Sequence, residues 1–220
     1  MKRSVGLALA ALLIAGQGYA DVISPTKANG DFIAGSGIPA TGFTIDTAAT
    51  GESVGLQARG RDAGNPPAKV GNQYFVQAGY AANGTSPWWN FDYQFGPGLT
   101  GGAQSEYQLT LSVDFDPGVG TTSFVTLNQP VAGNGSLLTN PGTWSNATPY
   151  AVADSLNLGF AFWNSLGATP PYDPNTPGEY ELDLSVTRNG VQIATTTAFV
   201  EVTPVPEPST LALLGLAVPT

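Results

Sequence analysis

The chemistry open to this 220-residue chain rests on oxygen-bearing and aromatic side chains, because it contains neither histidine nor cysteine. Those absences remove thiol nucleophiles, thiolate zinc sites, disulfides and the Ser-His-Asp and Cys-His catalytic arrangements. Asp114 and Asp116 flank Phe115, so in an extended segment their carboxylates share the face opposite the ring. Asp154, Asp173 and Asn175 fall in stretches that read as loops able to approach them. Oxygen ligands at loop ends suit Ca²⁺, which takes about six to eight of them. Against this, the Asp-x-Asp-x-Asn-Gly loop of an EF-hand is absent, and Asp116-Pro117-Gly118 is ordinary turn chemistry. Calcium at Asp114 and Asp116 is therefore a minor expectation, and no other metal or cofactor is expected.

Hydrolysis of a glycosidic bond would need two carboxyls about 5–9.5 Å apart across a cleft. No acid here sits in an apolar run that would raise its pKa, and Glu181 and Asp183 alternate outward beside like charge. An enzyme is not expected. Trp88, Trp89, Tyr93, Trp144 and Trp163 raise a different chemistry, the stacking of flat rings on sugars, set against the filling of a core. Consecutive Trp88 and Trp89 point to opposite faces if both lie in a strand, which makes Trp88 the candidate exposed platform. Three Asn-x-Ser/Thr sites, at Asn83, Asn134 and Asn146, arise readily by chance in a chain rich in these residues.

The elements that must position these groups read as β-strands. From Val22 to Val202 no helix-length run has a 3.6-residue period, whereas period-two alternation recurs. In Trp89–Phe95 the aromatic residues share one face; in Tyr107–Phe115 every odd position is apolar, and Tyr180–Val186 repeats the pattern. Strands with one wet face belong in antiparallel sheets. Asn189-Gly190 between Tyr180–Arg188 and Val191–Val202 predicts a tight hairpin. Further strands are expected at Phe43–Asp46, Val54–Ala58, Tyr74–Tyr80, Phe124–Leu127 and Leu158–Trp163, with a bulge near Thr195–Thr197 where the alternation changes parity. The expected fold is all-β, a single antiparallel β-sandwich of Ig-like or jelly-roll type spanning 21–203.

Composition agrees. There are 28 glycines and 18 prolines, 42% hydrophobic residues and only 10% charged ones, a mix that suits a turn-rich β domain with one core. The formal net charge of −9 repels phosphate backbones, so nucleic acid is not an expected partner.

Both ends read as addresses. Lys2 and Arg3 precede the apolar run Val5–Gly16, and Gly18-Tyr19-Ala20 offers small residues at the positions a signal peptidase reads. Cleavage between Ala20 and Asp21 is expected, since the run is shorter than the roughly 20 residues that cross a bilayer. At the other end, Thr203-Pro204-Val205-Pro206-Glu207-Pro208-Ser209-Thr210 precedes the apolar stretch Leu211–Val218. The prolines make an extended spacer, and the apolar stretch has no polar face with which to sit on a soluble domain.

The string Val205-Pro206-Glu207-Pro208-Ser209-Thr210-Leu211 resembles the start of the PEP-CTERM sorting signal of Gram-negative bacteria. The resemblance covers about the last sixteen residues. It implies that an exosortase-type protease of the inner membrane recognises Pro206, Glu207 and Pro208, and that the protein is transiently held in that membrane. From there it would pass to the cell surface or to extracellular polysaccharide. The tail in 204–220 departs from the pattern, which continues with a full apolar span and arginines. Eight apolar residues at about 1.5 Å each reach roughly 12 Å, against a hydrocarbon core near 30 Å. An incomplete anchor that retains the protein poorly is the expectation. Residues 107–202 also look like the ectodomains of such proteins, through Asp114–Gly118, Asp154–Phe160 and Tyr172–Tyr180. The reading is an exported, non-enzymatic surface or matrix protein; the alternative is a carbohydrate- or calcium-dependent adhesion module.

Overall fold

The computed structural model describes residues 42–61, 67–98, 102–130 and 152–205. The expected cleavage site at Ala20 and Asp21, Trp144, and the motif Pro206, Glu207 and Pro208 lie outside these residues.

The protein is all-β, built from two sheets. Strands β1 (Thr44–Thr47), β2 (Ser53–Gly60), β5 (Trp89–Gly96) and β8 (Val152–Leu156) form a four-stranded sheet in the order β1-β2-β5-β8. The other sheet contains β3 (Ala68–Val70), β4 (Gln73–Gln77), β6 (Tyr107–Asp114), β7 (Phe124–Pro130), β9 (Gly178–Arg188) and β10 (Val191–Thr203), ordered β3-β4-β10-β9-β6-β7. Both sheets contribute to one core. Val54, Leu56, Phe91, Tyr93 and Phe95 come from the first, and Leu109, Leu111, Leu182, Leu184 and Val200 from the second, all buried. Each such leucine or valine removed from water contributes about 1.5–3 kcal/mol. Among the described residues no helix is long and apolar enough to cross a membrane.

Alternation placed most strands correctly. Tyr107, Leu109, Leu111 and Val113 face inward along β6, as do Tyr180, Leu182, Leu184 and Val186 along β9. The Asn189-Gly190 hairpin is present, with both residues at positive φ, +51° and +79°, and Val191 pairing with Arg188.

Five expectations are corrected. The six-stranded sheet is not purely antiparallel, because β10 runs parallel to β4, with Val200 opposite Tyr74; the chain visits both sheets between these two strands. Leu158–Trp163 is not a strand but a turn followed by a short helix, α1 (Ala161–Ser165). A strand there would put Trp163 opposite Leu158; the helical turn brings both into the core, and the Trp163 indole Nε1 donates to the Asn157 carbonyl at 2.9 Å. The bulge falls at Ile193, between Gln192 and Ala194, not at Thr195–Thr197. Thr196 misleads because it is polar yet faces inward, its hydroxyl donating to the Thr44 carbonyl at 3.2 Å. The strand expected to run to Tyr80 stops at Gln77, just before Gly79 turns the chain with φ +109°. Asp154, expected in a loop, lies within β8, opposite Tyr93.

Candidate functional site

The alternating aromatic residues of β5 point into the core, yet its other face is also buried. Asn90, Asp92 and Gln94 are at most 2% exposed. Register explains the neighbours they find. Gln57 lies opposite Asp92 and Arg59 opposite Asn90 on β2, while Ser155 lies opposite Asp92 on β8. On this side of the four-stranded sheet, therefore, a polar network stands where a wet face was expected.

Asp92 is its centre. Gln57 Nε2 donates to its Oδ2 at 2.8 Å, and Arg59 Nη2 donates to its Oδ1 at 3.4 Å. Arg59 Nε lies 3.2 Å from Oδ2, close enough for an ion pair but too misaligned for a good hydrogen bond. Burial pushes the Asp92 carboxyl up, and the charge of Arg59 and hydrogen bonds from Ser155 and Gln57 oppose that push without overcoming it. Asn90 completes the group in the amide orientation that satisfies both of its ends: its nitrogen donates to the Arg59 carbonyl at 3.3 Å. Its oxygen accepts from the Ser155 hydroxyl and, at 3.1 Å, from Arg59 Nη2.

Beside this network opens a cavity of about 440 Å³, lined by Arg59, Arg61, Ala81, Asn83, Asn90 and Ser155. Arg61 is placed by a continuation of the ladder, its N–H donating to the Trp88 carbonyl at 2.8 Å. Asn83 is held by its own turn, its Oδ1 accepting from the N–H groups of Thr85 and Ser86 at 3.1 and 3.0 Å. The walls thus combine two guanidiniums, two carboxamides and a hydroxyl. Such groups recognise a polar ligand by charge-assisted and neutral hydrogen bonds. Sequence reasoning missed this site. The available signal was Arg59-Gly60-Arg61, two of only seven basic residues, spaced to fall on one face of a strand.

Trp88 does not stand free as a platform. It sits in a bend before β5, so strand alternation does not govern it, and it is half-buried against the core. Its six-membered ring lies on Gly60, where a Cβ would come within 2.5 Å of the ring. Trp89 is buried, with its ring 6.2 Å edge-on from Tyr172 and 5.9 Å from Tyr180.

The acids considered for calcium are occupied with closing loops. Asp114 Oδ1 accepts from the N–H of Asp116 at 2.9 Å and of Ser123 at 2.6 Å, and Asp116 Oδ1 accepts from that of Gly118 at 2.8 Å. Asp173 Oδ1 accepts from the Asn175 N–H at 2.9 Å, the main cause holding its pKa below the ordinary value. Asp114, Asp116 and Asp173 all act on Tyr180, whose hydroxyl is pushed up to about 12 by burial and then by these charges. Among the described residues, however, no group of three or more acids is disposed to hold a metal ion.

A second charged cluster lies at the far end of β2. Glu52 is buried; its Oε1 accepts from the Tyr107 hydroxyl at 2.9 Å and from Arg188 Nη1 at 3.2 Å. Arg188 Nε also donates to Glu106 Oε2 at 2.8 Å. Burial alone would raise Glu52, but hydrogen bonds from Thr50, its own backbone and Tyr107, together with Arg188, hold it below the usual range. This cluster ties the start of β2 to the ends of β6 and β9.

No protein-family model and no curated protein matches this chain.

Proposed function

We propose that this chain is an exported, non-enzymatic protein of the cell surface or extracellular matrix. Its body, residues 21–203, closes as a single β-sandwich of Ig-like or jelly-roll type, and its C-terminal tail is a sorting signal. The observation that carries this reading is the pairing of the basic start Lys2-Arg3 and the apolar run Val5–Gly16, ahead of Gly18-Tyr19-Ala20, with Pro206-Glu207-Pro208 and the apolar run after it. The end of the body supports it. Strand β10 finishes at Thr203, and Pro204 and Val205 are exposed, so the motif begins one residue beyond an accessible stretch. Prolines at 204, 206 and 208 prevent the strand from continuing and favour the extended backbone that a protease binds.

In this reading a signal peptidase cuts between Ala20 and Asp21, and an exosortase-type protease acts at Pro206, Glu207 and Pro208. The product reaches the surface or an extracellular polysaccharide, without cofactor or nucleic acid. Mass spectrometry of the mature protein should find Asp21 at its N-terminus. In a host that carries the sorting protease, Glu207→Ala should keep the tail after Thr203 that the parent loses, read as the mass of the intact protein. A mature protein that starts at Met1, or a Glu207→Ala variant processed and delivered like the parent, overturns the reading.

A further inference from the structure

We propose that the cavity beside Arg59 and Arg61 is a binding site for a hydroxylated monocarboxylate, such as a uronic acid unit. The inference is independent of how the chain is sorted.

The charge of the walls selects the ligand. Of the seven basic residues in a chain of net charge −9, two converge on this one cavity. Arg59 is offset by Asp92 behind it, through the 3.2 Å ion pair. Arg61 is exposed and makes no ion pair or hydrogen bond from its guanidinium among the described residues. Among the described residues, two guanidiniums and one carboxylate leave a local charge of about +1, which matches a single carboxylate better than a doubly charged phosphate. A planar guanidinium also presents paired donors with the geometry of a carboxylate.

The remaining walls suit hydroxyl groups. Asn83, Asn90 and Ser155 are neutral and carry both donors and acceptors. A volume of about 440 Å³ lies in the usual range for small-ligand sites, about 300–1,000 Å³. The site is also rigid where it meets the sheet. Arg59 and Asn90 are cross-strand partners bonded to each other, and Asn83 is fixed by its turn. A prepared set of donors loses little entropy on binding.

The test is calorimetric titration of the purified full chain with sodium glucuronate, glucose, inorganic phosphate and an oligoglucuronate. Glucuronate should bind more tightly than either glucose or phosphate, and more weakly as salt is raised. Arg61→Gln should weaken glucuronate by about 10- to 100-fold, the loss of one charge-assisted hydrogen bond, with the circular dichroism spectrum and melting unchanged. Arg61 is exposed at the end of β2, so this variant leaves the Asp92 network in place. Tighter binding of the oligomer than of the monomer identifies a polymer as the source, and equal affinity identifies the free acid; either supports the site. Equal binding of glucose and glucuronate, tighter binding of phosphate, or an Arg61→Gln variant that binds glucuronate like the parent overturns it.

Discussion

The two sheets turn very different outer faces to their surroundings. That of the six-stranded sheet follows the simple rule of alternation along β6 and β9, except at Asp114, which is buried at the end of β6. Thr110, Ser112, Thr126 and Asn128 form hydroxyl and amide pairs across β6 and β7, and Glu181 and Asp183 stand part-exposed on β9. That of the four-stranded sheet breaks the rule, with Gln57, Asn90, Asp92 and Gln94 all buried. Polar side chains in water cost the fold little. The same groups buried are stabilising only when each has its partner, and they are strongly destabilising otherwise. The protein carries its stability penalty on the four-stranded face, and the walls of the proposed site gather there.

The sharpest way to break this contrast is to remove one member of the buried pair. Arg59→Met leaves Asp92 buried without its ion-pair partner, and should lower stability in urea by about 3–5 kcal/mol. Adding Asp92→Asn should recover most of that loss, because the penalty belongs to the stranded charge. If the single variant costs under about 1 kcal/mol, the network is not the buried group described. Gln94 sharpens the point from the other side. It is 1% exposed, and neither its Oε1 nor its Nε2 has a hydrogen bond among the described residues. Gln94→Met, which keeps volume and removes the amide, should raise stability by about 1–3 kcal/mol, read from the urea midpoint.

The same contrast explains what was legible beforehand. Period-two patterns located β5, β6 and β9 because their inward residues are apolar whatever the outer face does. Asn90, Asp92 and Gln94 alternate with aromatics just as wet residues would, so their burial left no local mark. Asp92 meets Arg59 across a separation of 33 residues, and only the register of β2 on β5 brings them together. The helical turn at Ala161–Ser165 was missed for a related reason: Leu158, Phe160 and Phe162 alternate, but Trp163 decides the local shape by filling the core. Trp88 lies in a bend, where strand alternation does not set the direction of its side chain. The three-residue β3 is too short to show any period.

Acidity separates the two faces again. Burial raises Asp92 on one; on the other, burial raises Glu181 and then Asp183, Asp114 and Glu179 add their repulsion. A carboxyl whose folded pKa is raised holds its proton in the native state after the unfolded chain has released it. Its contribution is therefore full below the ordinary value and is lost as pH climbs through the raised one. Glu52, held low, has the opposite sign, and its contribution is lost only as pH falls through its depressed value. Stability should thus decline as pH rises from about 4.5, and Glu181→Gln should flatten part of that decline. Added salt should reduce the Glu181 part, which includes repulsion from the part-exposed Asp183 and Glu179, more than the Asp92 part. Melting curves across pH and salt check both; an unchanged slope in Glu181→Gln would remove the six-stranded face from the account.

The smallest expected effect lies on that same wet face. Ser112 and Thr126 are directly opposed, with their hydroxyl oxygens 2.9 Å apart. Ser112→Ala removes one hydroxyl, but Thr126 then bonds to water, so the change should cost about 0.2–1 kcal/mol. A loss comparable with that of Arg59→Met would mean that water cannot replace the missing partner, and that this face is as sequestered as the other. The ratio of the two losses, measured under one set of conditions, is therefore a direct measure of how differently the sheets meet solvent.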